Sequence, residues 1–358
     1  MKRALKLSLA LIFILITAAA IIAFGFIVPQ QDAKMNAVTA HAPYPVSEAA
    51  KALHGDLYVA DLHSDSLLWR RNPEKRWDRG HVDLPRLRDG GVDFQIFSAV
   101  TKSPRGLNFD GNDADAPDDI TTLAQAQLWP IRTWGSIYER AAFQAQRLQQ
   151  IEKRAKNNLV IARTRSDMQQ PDGTLVTVLL TEGSHPLEGQ IENIARLYDE
   201  GYRAMGLQHF FDNELGGSMH GRSQAGLTEF GRAAVKEMER RDIIIDVAHS
   251  SRQVVRDVLA MTEAPIFISH GGTISGCPKT ANRNLPDDIL KQIAARGGIL
   301  GVGYFGGAIC DISPEGIAKE IIHATALLGE DAVALGSDFD GSVTTAQDTS
   351  ELADITRE

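Results

Sequence analysis

The chain has 358 residues, of which 43% are hydrophobic, so it is long enough to build one large core. Its formal net charge is -9, and acidic and basic residues are interspersed. This argues against a nucleic-acid partner, because such a partner is usually bound by a basic patch. The two cysteines, Cys277 and Cys310, form no CxxC pair, which argues against a thiolate zinc site. They are either one disulfide in an oxidising compartment or two buried thiols.

The N-terminus combines a basic flank with a long apolar run. Lys2, Arg3 and Lys6 precede the apolar residues 7–28, and a helix needs ~20 such residues to cross a bilayer. Basic residues flanking a membrane helix stay on the cytoplasmic side. We therefore predict a signal anchor at residues 1–28 and a single-pass cell-membrane protein whose remaining chain is periplasmic or extracellular. The alternative is a signal peptide cleaved near residues 18–20.

Residues 29–54 are polar, alanine-rich and interrupted by proline, which predicts a linker. In residues 55–358, short and nearly continuous apolar runs alternate with helical patterns, as in parallel strands buried on both faces. This alternation predicts an α/β fold, a (β/α)8 TIM-like barrel, with a long insertion at about 101–158. The predicted strands are 57–61, 94–99, 176–180, 204–207, 243–247, 266–269, 299–302 and 333–336. The clearest predicted helices are 191–200, 228–241, 252–261, 287–295 and 314–328.

Histidine, aspartate and glutamate residues follow most of the predicted strands. In a barrel of parallel strands, the C-terminal strand ends meet at one mouth, where active sites are built. One histidine after a strand is more often a capping or surface residue, but here that explanation would have to hold for six strands at once. The residues concerned are His63, Asp65, Glu182, His209, His249, His270, Asp338 and Asp340.

These donors are imidazoles and carboxylates without a thiolate, a set that suits zinc, or manganese, iron or cobalt. They are too many for one tetrahedral ion, whereas two ions bridged by a carboxylate and a hydroxide would use them. His63 and Asp65 are alternate residues of an extended segment, so both side chains point the same way and can bind one ion.

Seven short motifs occur in an order known from one family. They are H-S-D at 63–65, E-G-S-H at 182–185, Q-H at 208–209, D-V-A-H-S-S at 246–251, I-S-H at 268–270, N-R-N-L-P-D-D at 282–288 and G-S-D-F-D-G at 336–341. Over residues 55–358 this set resembles the membrane dipeptidase family, of the renal or microsomal type with its bacterial relatives. The resemblance implies a barrel that holds two zinc ions and hydrolyses dipeptides.

The resemblance also implies how the ligands are divided between the ions. His63 and Asp65 would hold the first zinc ion, and His249 and His270 would hold the second. Glu182 would bridge the two ions. The number of donors by itself indicated only that two ions could be bound. Which donors bind which ion comes from the resemblance.

Four further residues match family positions outside the ligand set. His209 matches the histidine that stabilises the tetrahedral oxyanion, and Arg283 matches the arginine that binds the substrate carboxylate. Asp338 matches the aspartate that takes a proton from the metal-bridging hydroxide and passes it to the leaving amine. His185 also matches, as a group behind the ligands. The family further suggests a homodimer.

Two other functions remain open from the residues. The first is a related barrel amidohydrolase acting on N-acyl amino acids or lactams; many such enzymes bridge their metals with a modified lysine, whereas here Glu182 takes that place. The second is an inactive, membrane-tethered remnant. Residues 350–358 predict the start of the eighth barrel helix, which family members continue. We therefore expect a truncated last helix and an uncovered apolar flank on the first and last strands.

Overall fold

Eight parallel strands close into a barrel in this computed structural model, which describes residues 6, 8–9, 11–15, 23–156 and 158–357. The ring closes where β2 pairs with β4 and where β1 pairs with β9. All eight predicted strands are confirmed, and the (β/α)8 fold with them. The strands are β1 Val59–Ser64, β2 Val92–Val100, β3 Leu159–Ile161, β4 Leu175–Glu182, β5 Tyr202–Gly206, β6 Ile244–Asp246, β7 Ile266–Gly271, β8 Leu300–Val302 and β9 Val333–Leu335.

The short strand β3 was not predicted. It pairs in parallel with the start of β4, with Leu159 opposite Leu175, and adds a ninth strand at the outside of the ring. It lies at the end of the insertion, where three residues are too few to show a periodic pattern.

The five predicted helices are confirmed to within one residue at each end. Side chains fix where several of them begin: Thr228 accepts from Gly231 N at 2.9 Å, and Ser251 accepts from Val254 N at 3.0 Å. The α-helices are Val28–Met35, Glu48–Asp56, Leu84–Asp89, Asp119–Ala126, Arg132–Gly135, Ile137–Ala155, Glu192–Asp199, Glu229–Arg240, Arg252–Met261, Asp287–Ala294, Pro314–Leu328 and Ala353–Arg357.

The apolar core has two main parts. One fills the inside of the ring and includes Leu62, Ile96 and Leu180. The larger one packs the outer strand faces against the surrounding helices and includes Leu179 and Val258. Both faces of the strands are thus buried, which explains their nearly continuous apolar sequences.

The insertion folds over one side of the barrel mouth. Arg140 is 3% exposed and connects three parts of the insertion. Its Nη1 donates to Asp118 Oδ2 at 2.6 Å and to Thr101 O at 2.7 Å. Its Nε donates to Thr133 O at 2.9 Å. A separate apolar cluster that includes Trp69 and Trp129 packs beneath it. The insertion is therefore a fixed part of the mouth.

The segment predicted as a linker at 29–54 contains two helices packed on the barrel, Val28–Met35 and Glu48–Asp56. His54 bonds Thr356 Oγ1 at 2.8 Å and Gly90 O at 2.9 Å. Polar side chains that suggested a linker are thus used in buried contacts. Two observations concern the expected short last helix and uncovered strand flank. The helix Ala353–Arg357 lies against the helix Glu48–Asp56. All three residues of the last barrel strand, β9, are partly exposed.

Among the residues that the structure describes, no helix is both long and apolar enough to cross a membrane. The predicted anchor at 1–28 includes residues 16–22, which lie outside the described residues. Cys277 and Cys310 form a disulfide, with their Cα atoms 5.4 Å apart. The structure therefore contains the disulfide, and not the alternative of two buried thiols.

Candidate active site

The predicted donors lie together at the C-terminal mouth of the barrel. His63 is in β1, Glu182 ends β4 and His270 is in β7, while His249 follows β6 and Asp338 follows β9. All five are at most 7% exposed. Because every barrel strand ends at the same mouth, residues more than 200 positions apart share one small volume.

Glu182 lies at the centre of this group. Its Oε1 is 3.2 Å from His249 Nε2, 3.5 Å from His63 Nε2 and 3.6 Å from His270 Nε2. Its Oε2 is 3.4 Å from His209 Nε2. One carboxylate oxygen thus lies among the three histidines that are predicted ligands, and the other faces His209, so Glu182 is central to both predicted ligand pairs.

The spacing of these atoms fits metal ligation. Two ligands held at 2.0–2.1 Å by a tetrahedral zinc ion lie about 3.4 Å apart. His63 Nε2 and Asp65 Oδ1 are separated by 3.4 Å, and neither of these buried atoms has a hydrogen-bond partner. Three groups of donors could each hold an ion: His63, Asp65 and Glu182; Glu182, His209 and His249; and His63, His270 and Asp338.

The electrostatics of the carboxylates also favour bound cations. Burial and the neighbouring Asp65 and Asp246 raise the pKa of Glu182 well above its usual value. Burial likewise raises the pKa of Asp338, with Asp65 and Glu182 adding to it against the opposing effect of His63. Packing these carboxylates together without positive charge is unfavourable, and metal ions would remove that penalty.

Ser269 fixes the tautomers of two of the histidines. Its hydroxyl donates to Asp246 Oδ2 at 2.7 Å, which uses its single proton. His63 Nδ1 at 3.0 Å and His270 Nδ1 at 2.9 Å must therefore be the donors to Ser269 Oγ. This leaves the Nε2 lone pairs of both rings directed at the metal site.

An equivalent aspartate–serine pair supports the opposite side of the mouth. Asp61 accepts from Ser337 N at 2.9 Å and from Ser337 Oγ at 2.6 Å. It joins β1, which carries His63, to the loop that carries Asp338. Asp61 and Asp246 were not predicted as site residues, although each precedes a ligand within the same motif, D-L-H or D-V-A-H.

The loop after β9 has an unusual backbone. Asp338, Asp340 and Ser342 all have positive φ, at 61°, 66° and 61°, a region that costs energy for residues other than glycine. Between them, a Cβ at Gly341 would collide with the Asp338 carboxylate. Burial would raise the pKa of Asp340, but Arg71 and His81 outweigh it and hold that pKa below the usual range. A buried, ionised Asp340 thus fixes the loop.

Arg283 lies at the floor of the cavity and is 2% exposed. Its Nη1 donates to Ala248 O at 2.8 Å and its Nη2 donates to His270 O at 2.9 Å. A guanidinium has five N–H groups, so three remain for another partner. The two backbone contacts fix the plane of the fork beside the metal ligands.

His209 is placed with its Nδ1 3.0 Å from Lys102 O. The carbonyl can only accept, so Nδ1 carries a proton. Burial lowers the pKa of His209 to about 4, which leaves Nε2 unprotonated in the resting site. Donation from Nε2 to an oxyanion therefore requires the imidazolium form.

Two further histidines lie behind the predicted ligands. His220, which was not predicted, has its Nδ1 3.1 Å from Phe109 O and its ring 5.2 Å from that of His249. Burial lowers the pKa of His220 to about 3. It sits in the loop between β5 and the next helix, so a search of strand ends could not find it. His185, which was expected there, is 4% exposed, and neither ring nitrogen has a hydrogen-bond partner.

The site opens into a cavity of about 860 Å³. Its floor carries the polar residues, including Asp65, Glu182 and Arg283, and its outer part is mainly apolar. A volume of this size lies towards the upper end of the ~300–1,000 Å³ usual for small-molecule sites. The cavity thus combines convergent polar groups with apolar walls, as ligand sites do.

Comparison with known proteins finds dipeptidases that are similar to this chain. Dipeptidase verJ from Clonostachys rogersoniana is 29% identical over 284 residues, which cover 76% of this chain and 67% of that protein. The structure of the metallopeptidase dipeptidase AC is 25% identical with a TM-score of 0.64, and covers 84% of this chain and 90% of its own.

Two more distant structures share the fold. A metallopeptidase from Rhodobacter sphaeroides, liganded with a phosphinate mimic of the dipeptide L-Ala-D-Ala, is 24% identical with a TM-score of 0.64, over 84% of this chain and 91% of that one. The probable dipeptidase PvdM from Pseudomonas aeruginosa is 17% identical with a TM-score of 0.69, over 87% of this chain and 91% of that one.

The family model for the membrane dipeptidases (peptidase family M19) matches residues 47–358. This range includes every predicted ligand, and the donors that lie within it are grouped as a metal site requires. The chain therefore belongs to the membrane dipeptidase family and is a metal-dependent hydrolase of dipeptides.

Proposed function

We propose that this dipeptidase uses two zinc ions that share Glu182. His63 and Asp65 would hold one ion, and His249 and His270 the other. The observation that carries the proposal is the position of Glu182 between the two ligand pairs. Its Oε1 lies 3.5 Å from His63 Nε2, and 3.2 Å and 3.6 Å from His249 Nε2 and His270 Nε2. Zinc is favoured because the set contains nitrogen and oxygen donors at tetrahedral spacing.

When bound, such an ion pair supplies a water of lowered pKa and polarises the scissile carbonyl. The side chains of this chain supply proton transfer and charge stabilisation. Asp338 takes the proton of the attacking water and gives it to the leaving amine. His209 would first take up a proton from solvent at Nε2, and would then donate this N–H in a hydrogen bond to the oxyanion as negative charge develops there.

Arg283 would bind the free carboxylate of the substrate. Its fork is rigid because of its bonds to Ala248 and His270, and a planar fork binds a carboxylate through two parallel hydrogen bonds. A buried cation at the cavity floor favours a substrate that ends one residue beyond the scissile bond. This accounts for selection of dipeptides over longer chains.

The test of this role compares dipeptide L-Ala-L-Ala with its C-terminal amide, using the purified full chain. Arg283→Lys should lower kcat/KM for the dipeptide by about 10- to 100-fold, the loss for one charge-assisted hydrogen bond. Turnover of the amide should change little, because it lacks the carboxylate. An equal loss for both substrates would contradict the role, and a metal analysis of the variant would show whether the site remained loaded.

We also propose that residues 1–28 anchor the protein in the membrane with the barrel outside the cytoplasm. The basic flank and the apolar run support the anchor. The disulfide between Cys277 and Cys310 supports an oxidising compartment. Separation of cells into membrane and soluble fractions tests the anchor. Digestion of the barrel by protease added outside the cytoplasmic membrane tests its location. A homodimer is expected from the family, and light scattering in detergent would measure it.

A further inference from the structure

Residues 27–39, here called the mouth segment, lie against the rim of the barrel. They precede residue 47, where the match to the family begins, and they overlap the last two residues of the apolar run. The segment starts with the helix Val28–Met35 and then runs extended beside the loop after β9. There, Thr39 N donates to Thr345 O at 2.8 Å and Thr345 N donates to Ala37 O at 3.0 Å. A short parallel bridge thus ties the segment to the active-site loop.

Asp32 attaches the mouth segment by buried ion pairs. It is 4% exposed, and its Oδ2 lies 3.1 Å from both Arg71 Nε and Arg79 Nε. Arg71 also pairs through Nη2 with Asp340 Oδ1 at 2.7 Å. Arg71 therefore joins the mouth segment to the loop that carries Asp338. Removing one partner would leave buried charge uncompensated, so breaking this attachment would be strongly unfavourable.

Asn36 adds a second attachment. It is 1% exposed, and its Nδ2 donates to Asp32 Oδ1 at 2.9 Å. Its Oδ1 accepts from Ser342 N at 3.0 Å. The mouth segment thus contacts Ser342 directly and is joined to Asp340 through Arg71. These are two of the three residues in that loop with positive φ. The third is Asp338, so the segment supports the backbone that positions the proposed proton carrier.

The mouth segment also lines the active-site cavity. Ile27, Val28, Gln31 and Met35 line the same cavity as Glu182. Further apolar lining comes from the insertion and from the loops after β8 and β9: Leu107, Leu123, Ile312 and Val343. At about 860 Å³ the cavity has the size of sites for drug-sized ligands. A dipeptide of two small residues would leave much of its apolar part empty.

We propose that the mouth segment is the outer wall of the active site and selects dipeptides whose amino-terminal residue is large and apolar. The inference rests on the proposed function, because Arg283 at the cavity floor orients the substrate. With the carboxylate held there, the amino-terminal residue points outward, and its side chain meets Val28 and Met35. Burying an apolar side chain against this wall lowers its free energy by ~25 cal/mol per Å² removed from water.

The test measures the ratio of kcat/KM for Leu-Ala to that for Ala-Ala, with the full chain in detergent. Met35→Gln keeps the length of the side chain but places an amide in the wall, and should lower the ratio by about three- to tenfold. Gln30→Ala is the matched control: it lies on the same helix, is exposed, and does not line the cavity. It should leave the ratio unchanged.

Asp32→Asn provides a second, independent variant. Loss of the carboxylate charge weakens both arginine contacts, so the wall moves away and the ratio should fall as it does in Met35→Gln. The loop with Asp338 also loses support, which should lower kcat for both dipeptides. A merely structural role would reduce the fraction of active enzyme equally for both substrates. The ratio does not depend on that fraction.

The outcomes separate the inference from the function on which it rests. A lower ratio in both variants, with an unchanged ratio in Gln30→Ala, supports the wall. If the ratio is unchanged in both variants while Ala-Ala is still hydrolysed, the mouth segment does not select the amino-terminal residue. The proposed function is then unaffected. If the unaltered, zinc-loaded chain hydrolyses neither dipeptide, the proposed function fails and the inference fails with it.

Discussion

The Ser269 hydroxyl donates to the Asp246 carboxylate at 2.7 Å, and this one bond determines the proton positions on two metal-site histidines. With its proton committed, Ser269 Oγ can only accept from His63 Nδ1 and His270 Nδ1. Both Nε2 atoms are therefore free to bind metal. A serine and an aspartate that touch no substrate thus prepare two ligands, one for each proposed ion.

Replacing Ser269 should weaken zinc binding. Ser269→Ala removes the shared acceptor, so both rings lose the contact that fixes their tautomer. Changes in such supporting groups typically lower metal affinity 10- to 100-fold, and competition with a chelator of known affinity would measure it. Ser98→Ala is the control, because Ser98 is also buried in a barrel strand but its hydroxyl has no hydrogen-bond partner. Equal zinc affinity in both variants would contradict the role of Ser269.

Asp338 lies near His63 and His270 and could be either a ligand or a proton carrier. We expect the second role, in which Asp338→Asn lowers kcat by about 10²- to 10⁴-fold, the usual contribution of a general base or acid. The zinc content should stay at the level of the unaltered chain. Metal analysis and steady-state kinetics on the same sample would check this. Loss of one zinc ion would show that Asp338 is a ligand.

The ionised carboxylate of Asp118 should stabilise the folded state at neutral pH, and this stabilisation should be lost in acid. Burial would raise its pKa, but Arg140 and hydrogen bonds outweigh this and lower it. The folded state then binds fewer protons than the unfolded state just below pH ~4, so the stabilisation is present above the unfolded pKa of ~3.9 and is lost as pH falls through the folded pKa. Asp118→Asn should lower the free energy of unfolding by about 1–3 kcal/mol at pH 7.

Thermal unfolding of the chelator-treated protein at pH 7, 4 and 3 would measure this effect without a contribution from metal loss. The difference between Asp118→Asn and the unaltered chain should shrink below pH 4. Asp119→Asn is the control, because Asp119 pairs with Arg105 at the surface, where both side chains are about half exposed, and such pairs contribute little. A difference that grows towards acid would contradict the account.

The disulfide should contribute to stability. It joins residues separated by 33 positions, and closing a loop of that length stabilises a folded chain by about 3–4 kcal/mol in the chain-entropy model. The double variant Cys277→Ser with Cys310→Ser should lose about that free energy of unfolding. Reduction of the unfolded unaltered chain should produce the same loss, and an equal free energy of unfolding in the double variant and the unaltered chain would contradict this contribution.

The strand pattern was sufficient to predict the barrel and the position of the donors. Parallel strands buried on both faces have nearly continuous apolar sequences, and their ends must meet at one mouth. His63 and His270 could therefore be placed together although 207 positions separate them in the sequence. Placing these donors at the mouth required only the strand ends, and these ends were predicted to within a few residues.

Other parts of the site depend on contacts that no local pattern encodes. His220 comes from a loop whose path is determined by packing against Phe109 and Phe210. All but the first residue of the helix Val28–Met35 lies in the predicted linker at 29–54, which was inferred from a polar, alanine-rich sequence interrupted by proline. Instead Asp32 pairs with Arg71, which lies in a separate loop 39 positions away. Such long-range ion pairs appear only when the chain is folded.

The central claim is that Glu182 is shared by two zinc ions whose presence is required for dipeptide hydrolysis. Titration of the metal-free full chain with zinc, while Ala-Ala hydrolysis and bound zinc are measured together, tests it most directly. We expect activity to rise until about two ions are bound per chain, and Glu182→Gln to bind less zinc and to lose at least about 10²-fold in kcat. Full activity at one ion per chain, or hydrolysis that persists in metal-free protein, would contradict the claim.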